Sequence, residues 1–534
     1  MKLAARAYEE ALKLEARDAQ SMRELAAVYG QLNQHADAAR ILERYLKDVD
    51  PSYVDGYLQL SSHRLAQNDA EGAAQALQKA VEIEPSLRAY QNLGDIYRAM
   101  QKPDLAVGSY QRALELDPQN VQVELKLADA LYRNRKLEEA LARSNTVLEA
   151  DPANRYALEL KGKALRDLKR FDEAVKLADE TLAREPGDPA AAFLKATVAE
   201  ARRDYAAAAA ELEKLLQRSK ENEDAEQRAA NDRMFLVHLG LAYQQLDRQK
   251  EAADIYGRAF DLSGKTEPGL AAQRVDALVR AKDLDRALAE ARDARKRFPD
   301  EAQMVTLEAN VLREKGQVDA AVALAESLRK RSAGKFEPLV EVAEFYQRAK
   351  RFSDAEQVLV EARKVDPKDL RALFLLGAVL ERQKRHDAAE SVFREALGVE
   401  PDSAPVLNYL GYMNADRGVR VEEALGLIER AVKIDPENGA YLDSMGWALY
   451  RLDRLDQAEL QLRRAVAKGS ANAVVLAHLG DVLGRRGNLR EALDYWRQAL
   501  SGEDDEGELD RAGVERKIRD AQAGIDDTAR RERQ

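Results

Sequence analysis

The stretch Leu370–Pro401, LRALFLLGAVLERQKRHDAAESVFREALGVEP, decides the fold. Leu373, Leu376, Gly377 and Leu380 run large, large-small, large, after which Ala389, Phe393 and Ala396 run small, large, small and Pro401 closes the series. Spacings of three and four place each set on one stripe of a helix, so the stretch holds two helices joined by a short turn. Small residues at Gly377 and Ala389 let the two helices approach closely, and Ala396 leaves room for the next element. Pro401 stops the second helix, having no N–H to donate and clashing with the preceding turn.

The same order recurs through Asn408–Leu500. It returns as Leu442, Met445, Gly446, Leu449, Ala458, Leu462 and Ala465, and again as Leu476, Leu479, Gly480, Leu483, Ala492, Trp496 and Ala499. A self-similar period of about 34 residues is the mark of a repeat array. On these residues the chain resembles the tetratricopeptide repeat family, whose pattern it reproduces apart from the first Trp. The resemblance implies an all-α solenoid of helical hairpins, about fourteen full units wound into a right-handed superhelix, with the first helices lining a concave groove.

Upstream the copies are looser. Ala4, Tyr8 and Ala11 occupy second-helix places with no first helix before them, so either an upstream segment completes the unit or a half-repeat serves as the cap. Units follow at Met22–Pro51, Tyr57–Pro85, Tyr90–Pro118, Glu124–Pro152 and Leu158–Pro186, then a weaker one whose second helix opens in the alanine run Ala206–Ala210. The polar stretch Ser219–Asp232 interrupts the period as an extended helix end or a loop. Around Val275–Pro299 and Val305–Leu328 the pattern degenerates, with Arg274 and Glu308 where large residues belong, which predicts shallower packing. Val514, Ile518, Ala521 and Ile525 recur at helical spacing near the end. The expected organisation is a partial repeat over 1–16, an N-terminal array over 17–220, a polar interruption over 221–231, a C-terminal array over 232–504, a capping helix over 505–525 and a disordered tail over 526–534.

Composition narrows the function. Charged residues are 34% and aromatics 6%, as long solvated helices require. A net charge of -11, from 95 acidic and 84 basic residues, argues against nucleic acid as the main ligand, because phosphate binding needs a cationic surplus. The chain has no cysteine, which removes disulfides, thiolate catalysis and Cys-ligated metals. No apolar run is long enough to span a bilayer, and Met1–Gln20 carries Glu9 and Glu10, unlike a signal peptide.

Motifs of catalysis are imitated, not built. Ser263-Gly264-Lys265-Thr266 resembles the end of a phosphate loop, but Ala259 stands where its first glycine is needed, so it reads as a turn between helices. His35, His63, His238, His386 and His478 fall in different units, away from one another and from acids at metal-ligand spacing, and read as solvated. No cofactor, metal or catalytic residue is expected, and the chain reads as a non-enzyme.

The groove-facing places of the last units hold Asn408, Tyr412, Asp443, Trp447, Tyr450, His478 and Asp481, the candidate partner-binding set. Trp447 and Tyr412 either stand exposed as an anchor for a peptide or pack on each other or on the terminal helix. Asn414, where the pattern wants Tyr or Leu, is expected to satisfy the backbone of the turn Asp416–Val421 with its side-chain amide. Modules of this family that clamp a carboxylate use Lys and Asn at set places. Asn408 matches one of them, but Tyr412, Ala440 and Ser444 do not supply the rest.

Asn408–Leu500 also resembles bacterial cell-envelope members of the family, including lipoprotein adaptors of carboxyl-terminal processing proteases, although the lipid-bearing cysteine of those is absent. The resemblance implies a scaffold or adaptor for a protein or extended peptide, in the bacterial periplasm or envelope rather than the cytoplasm. The alternatives are a regulatory arm of a larger enzyme and a structural spacer. Neither nucleic acid nor direct membrane insertion is expected.

Overall fold

The computed structural model describes residues 1–218, 225–469, 472–502 and 509–531. Among them every regular element is an α-helix: Lys2–Leu14 stands alone, fourteen consecutive pairs run from Ala19–Gln31 to Leu489–Ser501, and Arg511–Arg531 comes last. The chain forms two compact units, Met1–Ala281 and Lys282–Gln534. Within each unit the substantial helix–helix contacts join helices one or two places apart, which is the packing of a solenoid.

Several pairs close as their small residues predict. A methyl group on Gly94, Gly377 or Gly480 would lie 2.5, 2.5 and 2.6 Å from the rings of Tyr110, Phe393 and Trp496 in the second helix. The glycine is thus a socket for the large residue opposite, and both helices bury their stripe against it. Asn120, Asn154, Asp188, Asp369 and Asn472 cap the following first helices by accepting backbone N–H groups that would otherwise be orphaned.

The turn inside a pair is equally regular. Lys169, Lys350 and Lys384 take left-handed φ of 60, 56 and 61°, and the N–H that follows each left-handed residue reaches back to the carbonyl five residues before it. Arg351 N–H donates to Tyr346 O at 2.8 Å and Arg385 N–H to Leu380 O at 2.9 Å, which is a Schellman cap. The same geometry corrects the expectation for Asn414. Its main-chain carbonyl accepts from Val419 N–H at 2.9 Å, whereas its side-chain oxygen is buried with no protein partner. A Schellman cap uses the carbonyl, so the amide is not needed by the turn.

Of the two readings of the polar stretch, residues 225–231 take the helical one: the helix Ala225–Gln245 starts early and runs 21 residues, because the segment has no Gly or Pro to stop it; 219–224 lie outside the described residues. Two further expectations change. Glu308 is no packing gap. It is 4% exposed and accepts from Arg292 Nε at 3.1 Å and from Arg295 Nε, so its charge is buried and paired. The tail expected to be disordered from Asp526 is helical to Arg531, again with nothing to break the helix; 532–534 lie outside the described residues.

Candidate partner-binding cleft

A residue meets another about one repeat further along the chain, and this governs the polar chemistry of the array. His478 Nδ1 lies 3.0 Å from Asp443 Oδ1, 35 positions away, His238 Nδ1 lies 2.9 Å from Glu200, 38 away, and His35 pairs with His63, 28 away. The reading of the histidines as separate and solvated is therefore wrong for these four. No local spacing could reveal them, because their partners sit on the next hairpin.

In the second unit, first helices of successive pairs converge on a cleft of about 870 Å³. The helix Leu370–Arg382 supplies Glu381 and Arg382, Ala404–Asp416 supplies Tyr409 and Tyr412, Gly439–Arg451 supplies Trp447, and Ala473–Arg485 supplies His478 and Asp481. The terminal helix Arg511–Arg531 closes one side with Val514 and Lys517. Its Val514 and Ala521 are buried in the core of the last hairpins, with Ile518 and Ile525 packed beside them.

Trp447 is half-buried. Its indole stacks on the His478 ring at 4.1 Å and 16°, Tyr450 stacks on it at 5.0 Å and 19°, and Nε1–H donates to Asp416 at 3.0 Å. His478 is 7% exposed and Asp443 8%. Burial disfavours the charged ring, but the carboxylates of Asp443, Asp481 and Asp416 outweigh it and raise the His478 pKa above its ordinary value. The floor of the cleft is thus an imidazole whose charged form is favoured, stacked on an indole face, and when protonated the two make a favourable pair.

Of the seven residues read from the sequence, Tyr412, Trp447, His478 and Asp481 line this cleft and Asn408, Asp443 and Tyr450 do not. Asp443 lies behind His478, Tyr450 supports Trp447, and Asn408 has its side-chain oxygen buried without a protein partner. Asp481 is already engaged, accepting from Trp496 Nε1 at 2.9 Å and from Lys517 Nζ at 2.6 Å. Sequence reading missed Lys384, Arg417 and His386 on the walls. It also missed a smaller cavity of about 300 Å³ in the first unit, lined by Leu158, Leu177, Phe193, Leu194, Met234 and Phe235. The only hint of that cavity was the broken period beside it.

A family model described as tetratricopeptide repeat matches residues 24–88, 125–189, 159–224, 273–335, 344–405 and 387–439, together more than half the chain. Two more of the same description match 87–120 and 473–502. The TPR repeat-containing protein PA4667 of Pseudomonas aeruginosa is similar, 47% identical over 79 residues that make up 15% of this chain and 13% of that protein. Type IV pilus assembly protein PilF of the same organism is 34% identical over 90 residues, 17% of this chain and 36% of PilF. The matched part is well under two thirds of either relative's length. Among solved structures, yeast Tom70 is similar at 15% identity and a TM-score of 0.41, with 89% of this chain and 96% of that one covered.

Proposed function

The chain belongs to the tetratricopeptide repeat family, and from that premise we propose that it is a non-catalytic scaffold whose second unit holds an extended segment of another protein. One observation carries the reading: side chains from four successive first helices meet in a single cleft that offers aromatic faces, cations and carboxylates together. An extended chain laid across such a surface gains modest contacts from each repeat in turn, with Trp447 and Tyr412 as anchors. Asp443 and Tyr450 act from behind, holding His478 and Trp447, which touch the partner.

The setting we propose is complex assembly or substrate delivery in the bacterial envelope. PilF, whose name describes a pilus assembly protein, supports this, as does the likeness of Asn408–Leu500 to envelope adaptors. A photo-crosslinking residue placed at Lys384 in the intact chain identifies the segment in contact. Calorimetry with that segment as a synthetic peptide then compares wild type with Tyr412→Ala and Trp447→Ala. At least tenfold weaker binding in both variants is expected. Equal affinity in both sinks the proposal and leaves the spacer reading standing.

A further inference from the structure

Outside the cleft, the first two hairpins bring two histidines face to face. His35 opens the helix His35–Asp48, and His63 lies in the last turn of Val54–Leu65. Their Nδ1 atoms are 3.2 Å apart, with ring centroids at 5.4 Å and planes tilted by 36°. A third helix seats the pair: Gly30 of Ala19–Gln31 lacks the Cβ that would lie 2.9 Å from the His63 ring, so the imidazole rests against the backbone there. Both rings are half-buried and keep access to water.

The separation has a chemical meaning. Imidazole nitrogens bind zinc at about 2.0–2.1 Å, so two of them on one tetrahedral ion stand about 3.3–3.4 Å apart. The observed nitrogens already stand within a few tenths of an ångström of that distance. We propose that His35 and His63 form a two-histidine site for a borderline divalent transition ion, Cu²⁺, Ni²⁺ or Zn²⁺, with water completing the coordination.

In the metal-free pair one ring carries its proton on Nδ1 and donates it to the other. When the ion enters, that proton leaves Nδ1, one returns to Nε2 of the same ring through solvent, and both Nδ1 lone pairs turn to the metal. Two neutral imidazoles thus remain neutral, and no net proton is released. Asp37 and Glu43, on the His35 helix, are paired with Arg40 and Arg64, and among the described residues no cluster of three or more metal-binding side chains exists. The site therefore has two protein donors and an open face, suited to exchangeable binding that follows the Irving–Williams order and excludes Mg²⁺ and Ca²⁺. Occupied, it would clip the first hairpin to the second and stabilise that end of the array by mass action.

Equilibrium dialysis of the tag-free full chain against Zn²⁺ and against Ni²⁺ tests this. One equivalent per chain is expected, weakened at least tenfold in His35→Ala and in His63→Ala and retained in His386→Ala, with circular dichroism showing each variant folded. Absence of saturable binding by wild type, loss in only one of the two single variants, or survival in the double variant overturns the site. Should His63→Ala not fold, paramagnetic Ni²⁺ titrated into wild type must broaden the His35 and His63 imidazole resonances first. Broadening that starts at any other histidine overturns it equally.

Discussion

Gly377 has room for a hydrogen and nothing larger. A methyl group there would lie 2.5 Å from the Phe393 ring, in the middle of a packed hairpin where the ring cannot swing away. Alanine gains about 1 kcal/mol in helix propensity over glycine, but overpacking costs about 1–3 kcal/mol. The difference leaves Gly377→Ala destabilised by up to about 2 kcal/mol, read from the urea midpoint. A midpoint that rises instead would show that the socket is loose. His478 carries the second prediction at this scale. Its folded-state pKa is raised, so the stability it contributes is fully present below the ordinary histidine value near 6.5 and is lost as pH climbs through the higher folded value. Thermal melts of wild type should therefore weaken as pH rises from about 6.5, while His478→Gln removes that slope. Identical slopes would mean that the imidazolium does not contribute.

Among elements, the turn and the pair interface invite opposite adjustments. Lys350 holds φ at 56°, a conformation that costs a residue with a Cβ about 1–2 kcal/mol. Glycine relieves that cost but gives back part of it to the unfolded chain. Lys350→Gly is thus expected to stabilise the second unit by about 0.5–1 kcal/mol in chemical denaturation. Between hairpins a ladder of ion pairs recurs at one-repeat spacing: Lys126–Asp95 at 2.7 Å, Arg385–Glu356 at 2.7 Å and Arg454–Glu422 at 2.7 Å. Each is exposed enough to add at most about 1 kcal/mol, so they tune register more than they hold the fold. Lys517–Asp481 belongs to this ladder, with its carboxylate nearly buried. Lys517→Ala should raise amide exchange in residues 511–525 and leave the hairpin Leu87–Leu116 unchanged.

Over the whole molecule, stability is a sum of local terms. Among the described residues the substantial helix–helix contacts in each unit join near neighbours in the chain, so a defect in one hairpin has few distant contacts through which to spread. Gly94→Ala and Gly480→Ala, in different units, are expected to add within about 0.5 kcal/mol when combined. Amide exchange mapped by mass spectrometry should confine the second effect to the last hairpins. Strong non-additivity would show that the repeats are not independent modules.

The hairpins were legible because their pattern is local. Helix periodicity alone sorted Leu373, Leu376 and Phe393 into a buried stripe, and the recurrence of Gly377, Gly446 and Gly480 revealed where two helices touch. Of the seven candidates read from the same phase argument, applied to the face that does not pack, four line the cleft. What lay beyond reach were events between hairpins, since these depend on how far one pair is displaced on the next. The burial of Asp443 behind His478, the stacking of Trp447 on His478 and the meeting of His35 with His63 all join residues 28 to 35 positions apart. The sequence by itself determined the unit and its turn, because a helix and its cap are decided by neighbours within five residues. Only the tertiary structure decided which side chains of consecutive units meet and how the terminal helix borders the cleft, because packing offset is a property of two surfaces and not of either sequence alone.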